Sequence, residues 1–240
     1  MREIREVPSP EVRLAGLAET LTIVERQLEA SRVMELLRLK QQHVTSRTHP
    51  DDASIDNYEL EVQVTHLLPK VLRGVFLLTM WSTLDACTKD LAVHASRQTG
   101  RRLPPNSFRG SFVESTERVF RVVLDIDSFE TAVDRDGLSR LARVRAALVH
   151  HNGSVEELPD DLKNGNLPAL EAEGLYLERD LHHRYFVPKA EYVERNLGLV
   201  DRHLRSLSSR VQAALKVARG PGSQPLDQAA NESSPRDLNR

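Results

Sequence analysis

Only one cysteine, Cys87, occurs among the 240 residues, so no internal disulfide can form and a disulfide-stapled scaffold is excluded. It lies in an apolar stretch, where the expected role is a small core residue rather than a nucleophile. Aromatic residues make up 5% of the chain, and no platform for stacking bases is visible. The single tryptophan, Trp81, lies in an apolar helical pattern and is expected in the core. Neither sign of charge dominates: 33 Lys and Arg oppose 35 Asp and Glu for a formal net charge of -2, so attraction of a polyanion requires a local patch. Long apolar runs are also missing. The most apolar segment, 67–81, is interrupted by Pro69, Lys70, Arg73 and Gly74 and falls short of the roughly 18 apolar residues that a membrane span needs. No membrane association is expected. Met1 is followed by Arg2, Glu3 and Arg5 rather than by an apolar leader, which gives a cytoplasmic location as the expectation. There is no Gly-rich phosphate loop, nucleophile elbow or zinc-finger spacing. His182, His183, Asp160, Asp161 and Asp180 also lack a recognised metal-ligand spacing, so neither a metal nor a cofactor is expected.

Helical periodicity is what the sequence has in quantity. Leu14, Leu17, Leu21, Val24 and Leu28 step by three and four and predict an amphipathic helix from Ser9 to about Lys40. A loop around Pro50 follows, and Asp56 is placed to cap a second helical region that runs to about Arg97 with a kink or restart at Pro69. Its dense apolar run, 71–84, predicts a central helix buried on several sides. Gly100, Pro104, Pro105, Asn106 and Gly110 mark a surface loop made basic by Arg101, Arg102 and Arg109. Ser111 and Glu114 have capping-box spacing, followed by Val113, Val119, Phe120 and Val123 as buried positions of a short third helix. Asp136 or Ser139 is expected to start a fourth helix, with Leu138, Leu141, Val144 and Leu148 on one face, ending near His150. Partly alternating segments near 175–187 predict a small β-hairpin. The last helix, 189–218, carries Val193, Leu197, Val200, Leu204, Leu207 and Val211 as a pairing seam, intramolecular in preference to a dimer coiled coil. The expected fold is therefore all-α. It divides into an N-terminal amphipathic helix and linker, 1–55, a helical domain, 56–218, and a polar C-terminal tail without apolar periodicity, 219–240.

Chemistry-bearing residues converge in RVRAALVHHNGS, from Arg143 to Ser154. Cutting RNA without a metal needs a group titrating near neutrality to move protons and a cation to hold charge growing on phosphorus. His150 and Arg145 supply those two types, Arg being suited by a planar fork that stays charged. The five-residue step between them turns about 140° around an ideal helix, so a frayed helix end is expected to bring them together. Arg143, seven residues before His150, is a second candidate for holding phosphate, and His151 and Asn152 follow directly. Cationic side chains in a last turn also suit the helix dipole, and Asn-Gly is an ordinary terminator, so the same residues fit a purely structural role.

This segment resembles the Arg-x(4)-His signature of HEPN domains, a helical superfamily with many RNA-cleaving members. The order of its neighbours is similar too: a dense apolar helix with an acidic residue, WSTLDACTKDL with Asp85, then a basic loop ending in SFRGSF, then RVRAALVHHNG. With GLYLERDLHHRYFVPKAEYVE and the last helix, the resemblance covers roughly residues 56–212. It implies a HEPN-like helical bundle acting as a metal-independent endoribonuclease, a toxin or defence effector in which two protomers of a homodimer place Arg145 and His150 around a shared cleft. Asp85 would orient Arg145 or His150, while Arg101, Arg102 and Arg109 would steer RNA. An antitoxin or other regulatory protein is the implied partner. The chain departs from the pattern at Ala146, where a polar residue commonly follows the Arg, and the alternative is a non-catalytic HEPN-like module that binds RNA or assembles with protein. Asn152 stands where some HEPN toxins carry a Tyr that a partner enzyme modifies, so that form of control is not expected.

Overall fold

The computed structural model of the protein describes residues 10–45, 62, 65, 67–151, 153, 154, 175–179 and 184–219. They form an all-α fold, with a two-stranded hairpin inserted before the last helix. The helices are α1 (Pro10–Thr45), α2 (Leu68–Thr99), α3 (Phe112–Leu124), α4 (Ala132–His151) and α5 (Ala190–Arg219). The strands are β1 (Leu175–Arg179) and β2 (Arg184–Pro188), antiparallel with Leu177 opposite Phe186. The expected cap at Asp56 and the tail after 219 lie outside the described residues. No helix among the described residues is long and apolar enough to cross a membrane.

Helix α2 is the hub, packing against α1, α3, α4, α5 and β2. Pro69 sits in its first turn, where a missing N–H costs nothing because that amide has no intrahelical acceptor. Gly100, at φ 68°, ends it in the left-handed conformation that a side chain would strain. Leu77, Met80, Leu84 and Cys87 on one face are buried and meet Leu14 and Leu21 of α1, Leu141 and Val144 of α4, and Tyr192 and Val200 of α5 in the main core. A second cluster joins Ala92 and Ala95 to Phe120 and Val123 of α3 and to Leu207, Val211 and Leu215 of α5. The α5 seam is thus buried within the chain, as its spacing predicts. Burial of α2 on several sides is not complete, because Val71 and Val75 are exposed by 57% and 56%. They point away from the face that carries Arg73, whose guanidinium binds Glu25 of α1.

Two helix starts show what side chains do for free amides. Ser111 Oγ accepts from the Glu114 amide at 3.3 Å, as the capping-box spacing anticipates. Helix α4, by contrast, starts at Ala132 and not at Asp136 or Ser139. Thr131 Oγ1 accepts from the Asp134 amide at 3.0 Å and donates to the Asp134 carboxylate at 2.9 Å, a cap that overrides the later candidates. The loop 100–111 is held from both sides. Arg101 Nη1 donates to the carbonyls of Val122 and Val123, and Arg118 Nη2 donates to those of Ser107 and Arg109.

Helices α2 and α5 run parallel, which fixes two ends of the bundle. Pro188, just before α5, lies by Arg73 at the start of α2, and the far half of α5 packs beside Ala92 and Ala95. Helix α4 runs the other way, with Gly137 against Leu199 and Leu148 against Gly74. The C-terminus of α4 therefore shares one end with the hairpin and the start of α2, while Gly100 and the first residues of the 100–111 loop occupy the other.

Candidate functional site

The last turn of α4 carries His150 and His151, whose rings stand 6.4 Å apart at 68°. The helix remains regular through His151. It closes with the Gly153 amide on the Ala147 carbonyl at 3.0 Å and the Ser154 amide on the His151 carbonyl at 2.7 Å. The fraying expected from the sequence does not occur, so Arg145 and His150 stay about 140° apart around the axis. Arg145 is half-buried and His150 exposed, and neither has a hydrogen bond or ion pair among the described residues.

Arg143 is better aligned with His150 than the sequence ranking suggests. Seven residues bring it to within about 20° of the same face, roughly 10 Å along the axis, and both side chains are exposed. Ala146 lies between them on that face and is half-buried. His151 is half-buried on another side, and Asn152 falls outside the described residues.

Asp85 does not meet Arg145 or His150 in the chain. Its carboxylate accepts from Lys89 Nζ at 2.6 Å, one turn along α2, and the same ammonium lies 5.7 Å from the centre of the Phe108 ring. A carboxylate committed to an i,i+4 pair is an ordinary surface feature of a helix. The basic loop starts at the far end of α2, 25 residues or about 38 Å of helix beyond Gly74, which lies beside Leu148, and then returns along α2, where Phe108 lies by Lys89 and Phe112 meets Trp81. Arg101 and Arg102 are exposed at that far end, Arg109 is exposed on the returning part, and Arg101 caps carbonyls of α3 as well. Asp160, Asp161, Asp180, His182 and His183 lie outside the described residues.

The remaining features fall away from this end. Cys87 is buried beneath Arg13, whose guanidinium lies 3.8 Å from its sulfur. Trp81 is half-buried and meets Phe112 edge-on at 5.0 Å, in keeping with a packing role. A groove of about 380 Å³ between α1 and α5, lined by Ala15, Ala18, Leu197, Gly198 and Asp201, contains none of the candidate residues.

Sequence reasoning passed over His203. It is 3% exposed, its Nε2 has no hydrogen-bond partner among the described residues, and burial pushes its pKa down to about 4. Asp134 opposes that shift and Arg210 adds to it. The signal was available, since 203 falls three residues after Val200 and four before Leu207, on the buried seam of α5. Comparisons of the chain with protein-family models, with characterised proteins and with solved structures found no match.

Proposed function

We propose that this chain is a metal-independent endoribonuclease of the HEPN type, a toxin or defence effector controlled by an antitoxin or other regulatory protein in the cytoplasm. The observation that carries the reading is the exposed His150 at the end of α4, without a hydrogen bond or ion pair among the described residues, with Arg143 on its own face and Arg145 about 140° around the helix. In the proposed reaction, neutral His150 takes the proton of a ribose 2'-hydroxyl as the 2'-oxygen bonds to phosphorus. The bond from phosphorus to the 5'-oxygen breaks, and that oxygen receives a proton from a protonated histidine. A guanidinium holds the charge gathering on the phosphoryl oxygens.

One helix end does not bring Arg145 and His150 to a common point, and a homodimer supplies the missing half. Two copies apposed at this end would set the Arg145 of one across from the His150 of the other. The exposed Val71, Val75 and Val149 support such apposition, because unpaired apolar side chains at the same end give a second copy something to bury.

Ala146 favours a second reading, a non-catalytic module that binds RNA or a protein partner through the same end. The two separate when wild type, His150→Ala, Arg143→Ala and Arg145→Ala are incubated with a mixed RNA panel in EDTA and the cut ends are mapped. Cleavage by wild type that leaves cyclic-phosphate ends and is lost with His150→Ala supports the enzyme. RNA binding by every protein with no cleavage supports the module.

A further inference from the structure

Helix α1 carries apolar residues on two opposite faces, and only one of them is covered. Leu14, Leu21 and Leu28, at seven-residue steps, are buried. On the opposite side Ile23, Ala30 and Leu37 repeat at the same step. With Thr20, Gln27 and Met34 they form a stripe that alternates steps of three and four, the pattern of a helix-pairing seam. Ile23, Met34 and Leu37 are exposed by 51%, 67% and 50%, and Thr20, Gln27 and Ala30 are exposed as well. The helix also outruns the bundle. It is antiparallel to α2, since Arg13 reaches Cys87 and Asp90 while Glu25 pairs with Arg73. Helix α2 starts about 8 Å before Arg73, a level that α1 reaches near residue 30, and α1 continues to Thr45. None of its described side chains beyond Leu28 is buried. A helical half that buries nothing gains no tertiary support of its own.

We propose that the outer face of α1 pairs antiparallel with the same face of a second copy of the chain, about a two-fold axis level with residues 28 and 29. The occupant is a second copy because the face complements itself. In this register Met34 of one copy comes level with Ile23 of the other, Leu37 with Thr20, and Ala30 with Gln27. The neighbouring antiparallel register sets Gln27 against Leu37 and Gln41 against Ile23, polar against apolar. Glu19 and Lys40 flank the stripe on one side, are exposed, and have no hydrogen bond or ion pair among the described residues. Across the axis they fall two residues out of step, about 3 Å, so the dimer gains two opposite-charge pairs. A parallel pair would keep them about 31 Å apart along the helices. The lengths agree too: the half of α1 that its own bundle backs, 10–28, comes level with the projecting half, 29–45, of the other copy. The two bundles then lie on opposite sides of the helix pair, in a closed isologous contact. This surface differs from the one proposed for apposition at the end of α4, and the proposal does not depend on the RNA reading.

The test uses the full chain and reads its mass in solution by sedimentation and light scattering. Wild type should be a dimer, and Met34→Glu with Leu37→Glu should be a monomer that still melts cooperatively, since both side chains lie outside the core. Glu19→Lys should weaken the dimer about tenfold through two exposed pairs, and adding Lys40→Glu to the same chain should restore it. Orientation is read by mild oxidation. A mixture of Ile23→Cys and Met34→Cys proteins should cross-link, whereas Ile23→Cys alone should not, and the native Cys87 is buried away from the reaction. A wild type that stays monomeric up to about 100 µM, or a dimer that survives both glutamates, overturns the proposal. So does self-cross-linking of Ile23→Cys alone, which would mark a parallel pair, or a charge exchange that restores nothing. A dimer lost in Val71→Glu with Val149→Glu but intact in the α1 variants would keep the apposition at the end of α4 and remove this one.

Discussion

The imidazole of His203 lies nearly parallel to the ring of Phe129, with centroids 4.9 Å apart and planes inclined by 21°. Phe129 belongs to the connector from α3 to α4, and Arg210 holds that connector through the carbonyls of Asp127 and Phe129. His203 is therefore buried neutral between α5 and a clamped loop, within the field of Asp134 and Arg210.

Stability should consequently fall on mild acidification. The unfolded chain protonates His203 near pH 6.5 while the folded chain resists until about pH 4, so stability is intact above 6.5 and is lost as the pH drops through that window. Urea unfolding should show a loss of about 2 kcal/mol between pH 7 and pH 5 from this residue. In His203→Leu the pH dependence should shrink by about that amount, and an equally steep dependence in the variant would refute the assignment.

The pair between Arg73 and Glu25 is bidentate, with both contacts at 2.7 Å, and both side chains are mostly covered, at 16% and 21% exposure. Glu25→Ala leaves a partly buried guanidinium without its carboxylate and should cost about 2 kcal/mol, more than a surface pair would. Arg73→Met should cost at least as much, because it leaves the Glu25 carboxylate unpaired and also loses the donor to the Pro188 carbonyl. Chemical denaturation of both variants gives the comparison.

Replacing Thr131 by Ala removes the cap of α4. The expected loss is about 1 kcal/mol, and Thr131→Ser should restore most of it. Thermal melts of the three proteins would show whether the hydroxyl is responsible.

Asp85→Asn separates the family expectation from the observed geometry. The carboxylate pairs with Lys89 on the helix surface, so stability should change by no more than about 0.5 kcal/mol. Any RNA cleavage by the wild type should persist within about threefold. A loss comparable to that of His150→Ala would mean that Asp85 reaches the reacting groups of a second copy.

Much of the fold was legible because burial on a helix imposes a period. The Leu14 to Leu28 and Val193 to Val211 seams, the Ser111 cap and the alternation around the hairpin all led to the observed elements. The start of α4 was misplaced because Asp136 and Ser139 are also good capping residues, and only the local hydroxyl geometry selects Thr131. His203 was missed because α5 buries a stripe wider than a two-position seam, which takes in Asn196 as well. At the candidate site the residue types were readable, but their relation was not. A linear motif does not reveal that α4 stays regular through His151, or that α2 carries Arg101 and Arg102 away to its far end.

Helix α2 begins at residue 68, yet its Arg73 finds the Pro188 carbonyl 115 residues later, and its core face waits for α5. At a synthesis rate of about 5 to 20 residues per second, that interval lasts roughly 6 to 23 s on the ribosome. Throughout it the nascent chain displays Leu77, Met80 and Leu84 with no final cover. A ribosome-associated holdase would meet this protein at α2, and a stall before α5 is made would leave the most adhesive part of the chain facing the cell.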